Sequence, residues 1–406
     1  MVETAILHIG MHKTGTTAIQ ASFAGYDDGQ LFTARLSEPN HSIPVSTAFL
    51  TDHRAYHIWT NKGTPAAEID AHRTADRATL EAELTRPDRE TVLISGEDIG
   101  MIDPAGQAAL IAFLRERVRT IRVICYLRDP ASFACSSFQQ RVKAGLDKVP
   151  AKSRPRYRAR MGVFLEALGR EAVEAVAYDR AAFPGGSVVQ DFAVRIGADA
   201  ARLTDTRAND KLSLPATRLI LHFNRTCPLS LGDPALFRAR QALVSTVARA
   251  YRRAERLDPA RFAAMADVSD MAWLKDTFGL TLPVPGKAPP VAPYLETLDD
   301  IDPTPLRATL EAAGVDTPFR APPQMLHRLY YHLVAQQSAT SAGPELAPAD
   351  GIVLRDVALK HETGARITRA EAIHLMEMAS RARPDGVYIR KLLDRLNMVE
   401  DEAELS

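Results

Sequence analysis

His8-Ile9-Gly10-Met11-His12-Lys13-Thr14-Gly15-Thr16-Thr17 decides the reading of this chain. A short apolar run, Ala5–Ile9, leads into it, and a helix-like stretch, Thr16–Ala24, leads out. A strand, a glycine-bearing loop and a helix N-terminus together cradle an anion. Backbone N–H groups point into the loop, and the helix dipole favours negative charge there. Gly10 and Gly15 permit tight turns, Thr16 and Thr17 offer hydroxyls in the first helical turn, and Lys13 adds a full charge. The nucleoside-triphosphatase loop would place its lysine directly before Ser/Thr. Here Lys13 stands two residues before Gly15, so a magnesium–ATP site is not indicated.

Working outward, the first half alternates short β runs with helical stretches. Leu31–Leu36 is a weak strand candidate, Thr91–Ser95 a clear one, and Ile121–Leu127 the strongest. Gly106–Val118 carries Leu110, Phe113, Leu114 and Val118 on one helical face. Val173–Tyr178 reads as a further strand. Ser187 with Gln190 forms a capping box for a helix that stops at Gly197. The alternation predicts an α/β fold with a mostly parallel sheet flanked by helices. Residues 1–225 are expected to form that domain, and 226–406 a mainly helical extension. Within the extension 281–325 is proline-rich and wraps or links, and 350–397 forms two or three helices broken at Pro384-Asp385-Gly386.

A second constellation follows the strongest strand. Arg128 ends it, Asp129 caps the next helix, Pro130 suits the first turn, and Ser136 lies eight residues after Arg128. A guanidinium and a hydroxyl so spaced can converge on one phosphate. Salt bridging of Arg128 to Asp129 or Asp179 is the structural alternative. Two anion pockets at neighbouring strand ends suit a nucleotide phosphorylated at both 5′ and 3′ positions.

These two stretches resemble the cofactor motifs of the sulfotransferases that use 3′-phosphoadenosine 5′-phosphosulfate (PAPS). The family's K-x-G-T-T loop is matched by Lys13, Gly15, Thr16 and Thr17. Its R-x-P motif with a serine eight positions on is matched by Arg128, Pro130 and Ser136. The resemblance covers about residues 5–225 and includes "VAYDRAAFPGGSVVQDFAVRIGA" and "NDKLSLPATRLI". It implies a P-loop-kinase-like sheet of about five strands and a PAPS site formed by Gly10, His12, Lys13, Thr14, Gly15, Thr16, Thr17, Arg128 and Ser136. It also implies in-line transfer of the sulfonate to a hydroxyl, carbohydrate among the options, without a metal.

The acceptor's proton needs a base. His41 has an unperturbed pKa near 6.5 and is favoured slightly over Glu38; Glu97, beside Asp98 at a strand end, is the third candidate. His53, His57 and Trp59 could line an acceptor pocket. The cations between Arg141 and Arg160 could steer the cofactor or hold an anionic glycan, or form a solvated basic segment.

Composition bounds the rest. The 406 residues are 46% hydrophobic and 25% charged, which excludes wholesale disorder. Fifty Lys and Arg balance fifty Asp and Glu, which disfavours a nucleic-acid partner. Cys125, Cys135 and Cys227 form no metal or disulfide pattern, and no run is long enough for a signal-peptide core or a membrane span. A soluble, cytoplasmic protein is expected. Two further readings stay open: a P-loop nucleotide kinase with a degenerate loop, and an inactive nucleotide-binding scaffold presenting the helices around Ala370–Ala379 and Tyr388–Leu396.

Overall fold

The computed structural model describes residues 2–204, 211–227, 234–339, 348–359, 369–383 and 386–398. Asn209 and Asp210 of the resembling stretch, and Pro384 and Asp385 of the expected break, lie outside them. In chain order the elements begin β1 (Thr4–His8), α1 (Thr16–Phe23), β2 (Leu31–Thr33), α2 (Ser42–Phe49), α3 (His57–Lys62), α4 (Ala66–Leu84), β3 (Thr91–Ser95) and α5 (Pro104–Arg115). They continue with β4 (Thr120–Leu127), α6 (Pro130–Lys143), α7 (Tyr157–Leu168), β5 (Val173–Ala177) and α8 (Val188–Ile196). Helices then dominate: α9 (Leu214–Thr226), α10 (Pro234–Ala250), α11 (Met271–Phe278), α12 (Val291–Glu296), α13 (Thr304–Ala312), α14 (Pro322–Ala339), α15 (Pro348–Leu359), α16 (Arg369–Ala382) and α17 (Val387–Met398). The proline-rich stretch thus carries α12, α13 and the start of α14.

The five strands form one parallel sheet in the order β2-β3-β1-β4-β5. This is the α/β class that the alternation predicts, with a helical C-terminal region. Strand parity explains its two cores. Ala5, Leu7, Val92, Ile94, Val123, Cys125 and Leu127 face α5 and α7 through Leu110, Leu114, Tyr157 and Phe164. Ile6, Leu93, Ile124, Tyr126 and Val176 face α1 and α8 through Ile19, Phe23, Val189 and Phe192. Burial on both faces is why these strands read as continuous apolar runs rather than alternating ones. Phe192 is fully buried against the rings of His8 and Phe23. Truncating such a residue to Ala costs about 3–5 kcal/mol.

The helix boundaries follow local chemistry. The Asp103 carboxylate accepts from the Gly106 N–H, with Pro104 in the first turn of α5. The Ser187 hydroxyl accepts from the Gln190 N–H, and Gly197 closes α8 in the left-handed region. Leu31–Leu36 is a strand only over Leu31–Thr33, because the chain leaves the sheet at Ala34, whose N–H makes a last bond to Leu93 O.

The chain packs as two compact units. One comprises Met1–Ser137, Pro150–Asp210 and Pro259–Pro289 and holds the sheet; the other comprises Phe138–Val149, Lys211–Asp258 and Pro290–Ser406 and is helical. In the second unit, Arg218 of α9 holds both carboxylate oxygens of Asp300 at 2.8 and 2.9 Å. Arg240 of α10 reaches Asn224 and the Cys227 carbonyl. In the first unit, β1 has β3 on one side and β4 on the other. The crevice outside its carboxyl end is therefore where an open α/β sheet takes a ligand.

Candidate active site

Three loops converge at that crevice: the turn after β1, the turn after β3 and the end of β4. The first is wound tightly. Thr14 Oγ1 donates to Met11 O at 2.6 Å, and the Thr14 N–H reaches the same carbonyl at 3.2 Å. Thr16 Oγ1 points to it at 3.5 Å. Thr14 and Thr16 are buried, so their hydroxyls serve the loop itself, whereas Thr17 is exposed. Gly10 and Gly15 have φ of 38° and 82°. A Cβ on Gly10 would lie 2.8 Å from Thr16 Oγ1, and one on Gly15 would lie 2.7 Å from Val188 Cγ1. The helix α1 starts at Thr16 without a side-chain cap, leaving its first N–H groups to an outside acceptor.

Lys13 also adopts a left-handed backbone, with φ of 72°. For a residue bearing a Cβ this conformation costs about 1–2 kcal/mol. Arg128, at the end of β4, braces it: its Nη1 donates to Lys13 O at 2.9 Å. Arg128 forms no ion pair with Asp129 or Asp179 among the described residues. Its guanidinium stands 5.9 Å from the Tyr178 ring centre, and Tyr157 Oη holds its carbonyl at 2.6 Å. The Asp129 carboxylate accepts from the Ser132 N–H at 2.9 Å, which starts α6. Ser136 is half-buried on that helix.

The turn after β3 brings together residues that sequence reading kept apart. His12 Nε2 lies 3.0 Å from Asp98 Oδ1 and 3.8 Å from Glu97 Oε1. Asp98 Oδ2 accepts from Tyr56 Oη at 2.7 Å, and the Asp98 N–H donates to Ser42 Oγ at 3.1 Å. Behind His12, Arg160 Nη2 stands 3.4 Å from Nδ1. An arginine can only donate, so Nδ1 accepts and Nε2 carries the proton given to Asp98. Burial pushes the Asp98 carboxyl upward, but hydrogen bonds from His12 and Tyr56 outweigh it and hold it below the ordinary range. Arg160 itself is buried, with Nε on Pro155 O at 3.0 Å. It therefore departs from the solvated basic segment, of which Lys152, Arg154, Arg156 and Arg158 are exposed. Tyr56 and Arg160 carry no local motif; only the fold brings α7 and the segment before α3 to this turn.

Of the other expected site residues, His41 packs behind the same β3 end, and the rest lie further off. His41 is buried, its Nδ1 accepts from the Ser95 N–H at 3.0 Å, and its ring is also hydrogen-bonded to the Ala34 backbone. Burial lowers its pKa to about 4. Neither ring nitrogen is open to an acceptor hydroxyl in this arrangement. Glu38 is exposed on the loop before it. Trp59 is buried in a small cluster with Tyr56 and Ile69, stacks on His72 and donates Nε1–H to Thr47 Oγ1 at 2.9 Å. His53 is bound to Asp70 at 2.7 Å, and His57 is exposed.

This edge of the sheet gathers two glycines at positive φ, an uncapped helix start, and the Arg128 guanidinium bonded to the backbone carbonyl of Lys13 at 2.9 Å. Among the described residues no group of three or more His, Cys, Asp and Glu is arranged to hold a metal, and no helix is long and apolar enough to cross a membrane.

Comparison with protein families finds no match. Over 121 residues the chain is 28% identical to an uncharacterized protein of Archaeoglobus fulgidus, covering 29% of this chain and 34% of that protein. The chain thus spans about a third of the length of that relative. Among solved structures it is similar to a sulfotransferase from Alicyclobacillus acidocaldarius, at 16% identity and a TM-score of 0.34, covering 60% of this chain and 97% of that one. It is also similar to the sulfotransferase domain from the curacin biosynthetic pathway, at 14% identity and a TM-score of 0.29, covering 78% and 99%.

Proposed function

We propose that this chain is a PAPS-dependent sulfotransferase acting on a hydroxyl acceptor. The observation that carries the reading is the bond from Arg128 to the Lys13 carbonyl, because it ties the two cationic motifs into one edge of the sheet. When bound, PAPS supplies the sulfonate and the adenosine 3′,5′-bisphosphate leaving group.

The chain's own residues divide the remaining work. The start of α1, with Thr17 exposed beside it, receives the 5′-phosphate, and Lys13 neutralises charge building on the bridging oxygen. Arg128 and Ser136 receive the 3′-phosphate, one through a charge-assisted bond and one through a single hydroxyl. The base passes from His41 to Glu97. Of the carboxylates at the β3 turn, Asp98 is committed to His12, Tyr56 and ionisation, whereas Glu97 stands 3.8 Å from His12 and keeps about a quarter of its side chain accessible. His12 lies between them, its Nε2 turned to the carboxylates and its Nδ1 to Arg160.

Calorimetric titration of adenosine 3′,5′-bisphosphate and adenosine 5′-monophosphate into the wild type, Lys13→Ala and Arg128→Ala tests this. The bisphosphate should bind the wild type more tightly, and Arg128→Ala should erase most of that preference, by more than about 1.5 kcal/mol. Equal affinity of the wild type for both nucleotides would sink the reading. Tight binding without transfer of radiolabelled sulfonate to any hydroxyl would leave a scaffold.

A further inference from the structure

Beyond the nucleotide edge, the first unit carries a groove of about 560 Å³. It starts at Gly100, two residues past Asp98, and runs along α7 to Trp273 of α11. A cavity of that size falls within the range used by small-molecule sites. Its chemistry is uneven. Arg156 and Arg158 are exposed at one end, and neither guanidinium forms an ion pair among the described residues. Glu166 lies at the other end, about 12 Å from Arg158 along the helix axis at the standard rise per residue. Met101 is 39% exposed, and the Trp273 indole is half-buried against Phe278. Those two present apolar surface to the groove.

The floor is Gly162, in the interior of α7, where glycine is a poor choice for a helix. A Cβ there would meet nothing within 4 Å, so packing does not require glycine. What its absent side chain leaves is room in the groove, and glycine is the residue that lets another molecule approach a backbone. Arg156 keeps a left-handed backbone, with φ of 57°, at a position where glycine would sit without strain. The chain thus departs from the ordinary residue choice twice in one groove, once giving space and once keeping charge.

We propose that this groove binds an acidic saccharide, with its carboxylate or sulfate on Arg156 and Arg158 and a sugar face on Trp273. The assignment rests on the sulfotransferase reading for its direction. That chemistry needs a hydroxyl acceptor, and a saccharide joins hydroxyls to ring faces that pack on an indole. Glu166 accepts hydrogen bonds from ring hydroxyls at the end remote from the guanidiniums. The groove begins beside the turn that carries Glu97, so a chain of sugars lying in it brings a terminal hydroxyl toward the proposed base.

The test is titration of the full chain with a hyaluronan tetrasaccharide, a chondroitin 4-sulfate tetrasaccharide and neutral chitotetraose. At least one acidic saccharide should bind ten times more tightly than the neutral one, and the better of the two identifies carboxylate or sulfate as the recognised group. Gly162→Leu fills the floor with a better helix former, and Arg156→Gly removes the charge while relieving the backbone. Each should weaken acidic-saccharide binding at least tenfold and leave adenosine 3′,5′-bisphosphate affinity within twofold. Equal binding of the neutral saccharide, unchanged binding in Gly162→Leu, or no binding of either acidic probe would overturn the proposal. Saccharide binding that responds to these variants in a chain that ignores the bisphosphate would keep the groove and remove the sulfotransferase reading.

Discussion

Ser95 and Asp98 stand three residues apart at the carboxyl end of β3, and each is bound to histidine. At Ser95, His8 Nδ1 lies 2.8 Å from the hydroxyl, His41 Nδ1 takes the backbone N–H, and Gln20 binds the carbonyl at 3.0 Å. Both rings are buried, and burial lowers their pKa values to about 3 and about 4. At Asp98, His12 keeps 38% of its side chain accessible and stands between two carboxylates. The inner cluster fastens β1 and the segment after β2 to the strand end; the outer one holds polar groups at the mouth of the crevice. Identical residue types thus serve opposite ends, and depth decides which.

The largest effect should come from the outer cluster. Glu97→Gln keeps shape and nucleotide contacts but removes the proposed base, so sulfonate transfer should fall about 10²- to 10⁴-fold. Bisphosphate affinity should hold. His41→Ala should do the reverse. It strands the buried Ser95 N–H, which costs about 1–3 kcal/mol of stability, while the folded fraction keeps its turnover. Stopped transfer in a stable, nucleotide-binding His41→Ala protein would return the base to the inner cluster and break the contrast.

Next in size is Gly96→Ala, midway between the clusters. Its Cβ would sit 2.5 Å from Ser42 N and 2.9 Å from His41 C, both backbone atoms. Overpacking of this kind costs about 1–3 kcal/mol or more, and the melting temperature should drop accordingly. A variant melting with the wild type would mean that the two loops are not pressed together.

Acid sharpens the comparison through linkage. In the unfolded chain His8 and His41 titrate near 6.5; in the fold they stay neutral down to about 3 and about 4. The unfolded state therefore binds more protons below 6.5. The stability these rings contribute is complete above that value and is lost as the pH falls toward the folded values. Between pH 6 and pH 5 the two together should remove about 2 kcal/mol, read by denaturant unfolding at each pH. His8→Phe with His41→Gln should flatten that slope. A slope that persists in the double variant would assign the protons to other groups.

How far these clusters were readable in the chain differs for the same reason. Thr91–Ser95, Ile121–Leu127 and the Ser187 cap announce themselves through local chemistry, and the structure has them within a residue or so. Strand order carries no local signal, yet it is what puts the ends of β1, β3 and β4 at one edge. "SEPNHS" looks like a polar loop, and nothing within six residues says that His41 sinks beneath Ser95. The pKa of a free imidazole then misleads, because desolvation moves it out of the useful range. Arg160 errs the other way: it closes a run of exposed cations but is itself drawn inward by helix phase, Tyr157, Arg160, Met161 and Phe164 sharing the buried face of α7.

The smallest effect tests whether the outer cluster is poised or merely assembled. Tyr56 is buried, and its hydroxyl gives Asp98 a 2.7 Å bond on the oxygen that His12 does not use. Tyr56→Phe leaves the ring in its cluster with Trp59 and Ile69, so the fold should lose little. Asp98 would keep His12 and the remaining accessible water. The loss should therefore be about 1 kcal/mol, a fall of about fivefold in transfer rate. Two readouts separate orientation from structure. The Asp98 carboxyl should titrate at higher pH in the variant, because one of the bonds holding it down is gone. The rate should fall through kcat with bisphosphate affinity unmoved. If the carboxyl shifts and the rate does not, Asp98 serves only to fasten the turn, and the outer cluster would be the inner one's structural twin at a shallower depth.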